Sequence, residues 1–198
     1  LVHDEQEGLR EEARQREYAW LTGDVRAEDR ATQYGHRAAI VLFTGSAQTG
    51  KTFLARRVEA LLVADSRHAY LLEGENLLQG LDADLSAADP SFAAERVRRY
   101  GEVARLLIDT GLIVVSTSKT FGINYQRMAE MIRTLVQPAP VIAVHMSRAG
   151  EEPPPNTDLH FAGPQDFDAA ARQILEELKR RGVLIQPSGT KSTIQYSI

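Results

Sequence analysis

The apolar positions of the chain change their spacing regularly from residue 39 onwards. Short continuous apolar runs, typical of buried strands, alternate with stretches in which apolar residues recur every three or four positions, as in helices. The apolar runs predict strands at 39–44, 68–73, 112–117, 140–145 and 158–161. The helical spacing predicts helices at 51–64, 75–80, 92–110, 124–136 and 166–181. This alternation predicts an α/β fold, a parallel sheet with helices on both faces.

Both flanks of this alternating region are polar. Residues 4–21 are rich in Glu, Arg and Ala and predict an N-terminal helix with a thin apolar stripe. We interpret it as a solvent-exposed helix that connects an upstream domain to this one. In the alternative interpretation, Tyr18, Trp20 and Leu21 anchor it to the main domain or to a partner. We therefore expect an N-terminal helix and connector at 1–37, one α/β domain at 38–185 and a C-terminal tail at 186–198.

Composition narrows the class of protein. The chain has 198 residues, 43% of them hydrophobic, which allows one domain with a sizeable core. A formal net charge of −4 gives no overall attraction to nucleic acid or membrane, and no apolar run approaches the length of a membrane span. Cysteine is absent, and residues 1–20 lack the apolar core of a signal peptide, so we expect a cytoplasmic protein. Since the chain begins at Leu1 and not at Met, we expect a piece of something longer.

A glycine-rich loop follows the first predicted strand. It matches G-x-x-x-x-G-K-[ST], the phosphate-binding pattern of P-loop NTPases, with Gly45, Ser46, Ala47, Gln48, Thr49, Gly50, Lys51 and Thr52. Glycines let such a loop curl until its N–H groups point inward, and the next helix adds the positive end of its dipole. We predict that all eight residues bind ATP, with Lys51 on the β- and γ-phosphates and the Thr52 hydroxyl on Mg²⁺. The alternative is a glycine turn before an ordinary helix.

Two carboxylates follow the second predicted strand, in the segment Glu73-Gly74-Glu75-Asn76. In a parallel sheet, ligands lie beyond the carboxyl ends of the strands, so we expect this segment beside the phosphate loop. There a carboxylate could orient Mg²⁺ or take a proton from an attacking hydroxyl. A solvated acidic turn is the alternative, and the chemistry alone leaves both open.

Segments between residues 71 and 115 carry a more specific pattern than the loop alone. They are Leu72 to Asn76 (LEGEN), Gly80 to Leu85 (GLDADL), Glu95 to Arg99 (ERVRR) and Asp109 to Val115 (DTGLIVV). These segments resemble adenylylsulfate kinase, a small P-loop kinase that phosphorylates the ribose 3′-hydroxyl of adenosine 5′-phosphosulfate with ATP. The resemblance covers roughly residues 25–185. The segment 26–37 is similar to kinase domains that are fused to the GTPase subunit of sulfate adenylyltransferase.

The resemblance implies roles for individual residues. Lys51 and Glu73 would be catalytic, with Glu73 as a general base or, together with Thr52, as a residue that holds Mg²⁺. The second substrate, adenylylsulfate, would be bound by Glu75, Asn76, Arg96, Arg99 and Lys119. Arg96 and Lys119 would replace some of the anion partners that the family has and this chain lacks.

The departures from the family concentrate on the second-substrate side. Glu73 and Glu75 stand where the family has Asp, Leu78 stands where an Arg is expected, and residues 117–122 (TSKTFG) replace a substrate-contacting loop. The family's basic lid also lacks a counterpart, since only Met146 to Glu152 separate the strand ending at His145 from Pro153. The part of the site that would bind ATP therefore looks intact, and the part that would bind adenylylsulfate looks rebuilt or decayed.

Three functions stay open. The first is ATP-dependent phosphorylation of adenylylsulfate in sulfate activation, weakened by a degenerate second-substrate site. The second is a nucleotide-binding regulatory or scaffold domain of a sulfate-activation enzyme, with little or no catalysis. The third is a kinase for another small hydroxyl substrate. We expect a small nucleotide as ligand and neither nucleic acid nor membrane as partner. An upstream sulfate adenylyltransferase domain and a homodimer are left open.

Overall fold

A computed structural model describes residues 23–117, 125–163 and 166–185. The strands in these ranges are β1 (Ala39–Gly45), β2 (Ala69–Glu73), β3 (Ile113–Thr117), β4 (Val141–Ser147) and β5 (Leu159–Ala162). The helices are α1 (Ala27–Tyr34), α2 (Lys51–Ala64), α3 (Gly74–Leu77), α4 (Phe92–Asp109), α5 (Tyr125–Val136) and α6 (Phe167–Arg180). The strands and helices predicted between residues 39 and 181 correspond to β1–β5 and α2–α6, with bounds that differ by a few residues.

The strands form one parallel sheet in the order β2-β3-β1-β4-β5. The first strand of the described ranges, β1, is thus the central strand of the sheet. It pairs with β3 on one side, from Ala39 opposite Ile113 to Phe43 opposite Thr117. On the other side it pairs with β4. Because β3 lies on one side of β1 and β4 on the other, a crevice opens at the carboxyl end of β1. This is the place where α/β folds bind ligands.

Helices cover both faces of the sheet, and each face has its own core. Val41 and Phe43 of β1 pack on the face that α2 and α6 cover, where Leu54 and Ile174 are fully buried. Ile40 and Leu42 point to the other face and pack against α4 and α5. Strands β1, β3 and β4 are buried along their whole length. This burial on both faces explains why they appear in the sequence as continuous apolar runs and not as alternating patterns.

The polar connector predicted at 22–37 contains a helix, α1, which the pattern did not show. The helix starts after Arg26, whose backbone N–H donates to the Asp29 carboxylate at 3.0 Å, and it ends at Gly35, where φ is 68°. Only Ala31 is buried along the helix, so no apolar spacing reveals it. The Arg37 N–H donates to the Val183 carbonyl oxygen at 2.8 Å, which ties this connector to the end of the domain.

The domain bounds proposed from the sequence stay predictions. The N-terminal helix expected at 4–21 and the tail at 186–198 lie outside the described residues. Within the described ranges, no helix has the length and apolar character needed to cross a membrane.

Candidate active site

The phosphate loop leaves the centre of the sheet, between the end of β1 and the start of α2. Gly45 has a φ of 123°, and a Cβ atom there would lie 1.8 Å from the carbonyl oxygen of Met146 on β4. Gly50 has a φ of 89°, and a Cβ atom there would lie 2.6 Å from the ring of Phe167 on α6. Both positions therefore require glycine, and the loop is held tightly between β4 and α6.

Hydrogen bonds within and beside the loop maintain its curl. The Ser46 N–H donates to the Met146 carbonyl at 3.0 Å, and the Thr49 hydroxyl donates to the Ser46 carbonyl at 2.9 Å. Gln48 has a φ of 61°, a left-handed conformation in which the chain turns sharply. These hydrogen bonds give the loop the turned backbone that a phosphate-binding nest requires.

A carboxylate lies at the mouth of the loop. Glu151, from the connector between β4 and β5, accepts hydrogen bonds from the Ser46 hydroxyl and from the Arg148 N–H. The Ser46 hydrogen bond, and then that of Arg148, hold the pKa of Glu151 below its ordinary value. The sequence pattern did not single out Glu151, because its hydrogen bond to the loop spans 105 positions of the chain.

Lys51 lies inside the curl of the loop. Its side chain is only 7% exposed, and its ammonium donates to the carbonyl oxygens of Gly45, at 2.8 Å, and of Ser46. Burial lowers the pKa of Lys51, and the nearby Glu75 carboxylate opposes this shift. The cation is therefore placed at the carboxyl end of the central strand, with acidic groups of the neighbouring segment near it.

Glu73, the last residue of β2, and Glu75, in α3, lie at the same edge of the sheet as the loop. Glu73 ends β2 opposite Thr117, which in turn lies opposite Phe43 of β1. Glu73 is also 3.4 Å from the guanidinium of Arg56 on α2. Arg56 follows Thr52 by one helical turn, so α2 brings both residues to the side that faces Glu73. Thr52, at the start of α2, is half-buried, and Asn76 is exposed. Their roles in binding stay predictions.

Two arginines predicted to bind substrate are engaged with carboxylates in the structure. The Arg96 side chain is 3% exposed and faces Asp82, 1% exposed, at 3.4 Å. Arg99 donates to Asp84 at 2.9 Å and to Glu95 at 3.0 Å. Arg98 and Arg99 together lower the pKa of Glu95 to about 2. The roles of Arg96 and Arg99 in substrate binding stay predictions, and Lys119 lies outside the described residues.

A cavity of about 550 Å³ borders the phosphate loop on the β4 side. Residues 48–50 of the loop form one wall, and Arg148 and Phe167 lie on the others. Its volume is in the range of small-molecule sites in proteins. The connector that follows, residues 148–158, joins β4 to β5 in eleven residues without a helix. This connector is therefore short and irregular.

Comparisons with known proteins decide the family. The family model described as adenylylsulphate kinase matches residues 37–153, more than half of the chain. The chain belongs to the adenylylsulfate kinase family. The resemblance and the P-loop α/β fold predicted from the sequence are both confirmed.

Individual adenylylsulfate kinases match with moderate identity. The adenylyl-sulfate kinase of Yersinia pestis is 29% identical over an alignment of 194 positions; the alignment covers 83% of this chain and 89% of that protein. The adenylyl-sulfate kinase of Shewanella amazonensis is 38% identical over 128 residues, which cover 65% of this chain and 63% of its own length. A solved structure of a variant APS kinase from Mycobacterium tuberculosis has a TM-score of 0.63 at 29% identity, covering 73% of this chain and 99% of that one.

Proposed function

We propose that this domain binds Mg-ATP at residues 45–52 and transfers the γ-phosphate to the 3′-hydroxyl of adenosine 5′-phosphosulfate. The observation that carries the proposal is the closure of the glycine loop around Lys51 at the carboxyl end of the central strand. Phosphoryl transfer requires mainly positioning and neutralisation of charge, which this loop is built to supply. Membership of the adenylylsulfate kinase family supports the choice of acceptor.

The cavity beside the loop would hold the nucleoside of ATP. It opens directly from residues 48–50, so a triphosphate in the loop would place its base and ribose there. The planar guanidinium of Arg148 and the ring of Phe167 border that cavity and offer flat surfaces for a base. In this arrangement the N–H groups of the loop and the Lys51 ammonium meet the phosphates.

The residues present fit Mg²⁺ bound together with nucleotide. Mg²⁺ prefers oxygen ligands and in kinases takes only one or two from the protein, the remainder coming from phosphates and water. Thr52 and Glu73 offer such oxygens at the same edge of the sheet. Among the described residues, no group of three or more His, Cys, Asp or Glu side chains could hold a metal without phosphates. When bound, Mg²⁺ would supply positive charge at the β- and γ-phosphates.

The second-substrate site is the degenerate part of the proposed enzyme. Leu78, directly after α3, is 39% exposed and cannot donate a hydrogen bond to an anion. A charge-assisted hydrogen bond of the kind that an arginine would make there contributes about 1.5–3 kcal/mol to binding. The helix-free connector 148–158 leaves less chain to exclude water from the transfer. We therefore expect weak phosphorylation of adenylylsulfate.

Replacing Glu73 by Gln should reduce turnover by roughly a hundredfold or more while ATP still binds. A general base or metal-orienting carboxylate acts mainly in the transition state, and Gln keeps its shape without its charge. The measurement is steady-state ADP release, with ATP-analogue affinity measured in parallel. Glu176→Gln, an exposed carboxylate on α6, is the matched control. Unchanged turnover in Glu73→Gln would remove this carboxylate from the mechanism.

Replacing Leu78 by Arg should raise kcat/KM for adenylylsulfate by about 10- to 100-fold. This factor corresponds to the free energy of one charge-assisted hydrogen bond. The test is a coupled ADP-release assay on the wild type and on Leu78→Arg. Leu81→Arg, which places the same charge on another exposed leucine, is the control. Wild-type turnover of about 1–100 per second would contradict the degenerate site and establish an ordinary kinase. A gain in Leu81→Arg equal to that in Leu78→Arg would show only a general charge effect.

The competing function is a nucleotide-binding domain that regulates or scaffolds a sulfate-activation enzyme. The pairing of Arg96 and Arg99 with carboxylates favours it, because those charges are already engaged within the protein. Calorimetry with an ATP analogue, with adenylylsulfate and with its phosphorylated product separates the two functions. ATP binding without adenylylsulfate binding would support the regulatory domain. An upstream sulfate adenylyltransferase domain and a homodimer both stay open.

A further inference from the structure

A second, larger cavity lies at the opposite end of the sheet from the phosphate loop. It has a volume of about 870 Å³ and is bordered by residues that precede strands, such as Ala38, Gly111 and Pro140. Helix α1, the last turn of α4 and the turn after α5 form its walls. None of the residues in our proposed kinase site lines this cavity, so its role is a separate question.

The lining of this cavity combines apolar surface with an excess of positive charge. Its apolar part includes Ala27, Ala31, Ile108, Val136 and Pro138. Its charged part has four arginines against three carboxylates, a local formal charge of +1: Arg26, Arg30, Arg37 and Arg105, with Asp24, Glu28 and Asp109. Such a lining suits a ligand that has a large apolar side chain and acidic neighbours.

The segment that precedes the described residues has this chemistry. Gly23 lines the cavity, so the preceding residues 1–22 start from its rim. Trp20 is three residues from Gly23, and an extended chain spans at most about 11 Å over that distance, which keeps Trp20 within reach of the cavity. Residues 4–17 contain six carboxylates and three arginines, a formal charge of −3, opposite in sign to the lining.

We propose that Tyr18 to Leu21 of the same chain dock in this cavity, with the Trp20 indole against its apolar wall. A Trp side chain buries about 150–250 Å² of surface, enough to anchor a short segment, while its N–H can reach one of the polar groups in the lining. The acidic residues before Tyr18 then lie near the arginines at the rim. The leading segment is thus an intramolecular anchor that packs on α1 and α4.

The fluorescence of Trp20 tests this directly, because the chain contains one tryptophan. In the full 198-residue chain, we expect emission at shorter wavelength than in the urea-unfolded chain and several-fold weaker quenching by acrylamide. Ala27→Glu, which adds bulk and negative charge to the cavity, should shift the emission to longer wavelength and increase quenching several-fold. Gln33→Glu, on the same helix but outside the lining, is the matched control and should change neither.

Arg105→Glu provides an independent variant, since it alters the cavity from α4 and not from α1. It should expose Trp20 as Ala27→Glu does, with far-ultraviolet circular dichroism confirming that both variants fold. Emission equal to that of the unfolded chain would overturn the proposal. Protection of Trp20 that survives both cavity variants would also overturn it, because the anchor would then lie elsewhere. Protection that disappears on dilution would assign the cavity to a second copy of the chain and contradict the intramolecular anchor.

Discussion

Asp82→Ala should lower the free energy of unfolding by about 3–5 kcal/mol, the usual cost of removing one partner of a buried ion pair. The substitution removes the carboxylate that faces the buried guanidinium of Arg96, while the guanidinium stays out of water. Urea denaturation with linear extrapolation measures the change. The loss is large because a charge that was compensated in the native state becomes costly to keep buried.

Two further variants distinguish the stability contributed by this buried pair from that of an exposed ion pair. Asp84→Ala removes a carboxylate that is 65% exposed and pairs with Arg99, so a much smaller loss is expected. The double variant Asp82→Ala, Arg96→Met should recover much of the stability, since it leaves no charge in the buried position. If Asp82→Ala costs no more than Asp84→Ala, the pair contributes nothing specific to the fold.

Lys51→Ala should weaken the binding of an ATP analogue by a hundredfold or more. The ammonium is expected to bind two phosphates, and two charge-assisted hydrogen bonds correspond to about 3–6 kcal/mol. Calorimetry in the presence of Mg²⁺ measures the affinity. Lys179→Ala, at the exposed end of α6, is the matched control because it removes the same charge far from the loop.

The same variant also separates ligand binding from folding. Burial disfavours the charged form of Lys51, while its ammonium donates to the Gly45 and Ser46 carbonyls. Because these two effects oppose each other, removing the ammonium should change the stability of the ligand-free domain only slightly. Equal affinity of the wild type and Lys51→Ala would exclude residues 45–52 as the phosphate site. A large loss of stability without ligand would instead assign Lys51 to the fold.

The parts of the site that the sequence predicted are those formed by neighbouring residues. The loop at 45–52 is local, so its glycines, its lysine and the start of α2 follow from a short motif. The position of Glu73 followed from one further step, because parallel strands bring their carboxyl ends to one edge. The apolar runs of β1, β3 and β4 predicted the sheet for the same reason, since burial on both faces leaves a visible pattern.

The parts that the sequence did not predict depend on interactions between distant or weakly patterned segments. Helix α1 has one buried residue, too few to mark a period. The role of Arg96 in substrate binding stays a prediction. Its contact with Asp82 depends on how residues 78–91 lead into α4, which no local pattern encodes. The hydrogen bond of Glu151 with Ser46 depends on the short connector after β4, which no local pattern encodes.

Because the phosphate loop is attached to the central strand, nucleotide binding should also affect the lifetime of the protein in a cell. The loop begins where the fully buried central strand β1 ends, so it cannot open far without disrupting the sheet. A nucleotide bound there would therefore stabilise the whole domain, by about 2.7 kcal/mol at a hundred times its dissociation constant. Proteases that act on the opened chain would then remove the nucleotide-free protein first. The abundance of this domain would follow the supply of its nucleotide.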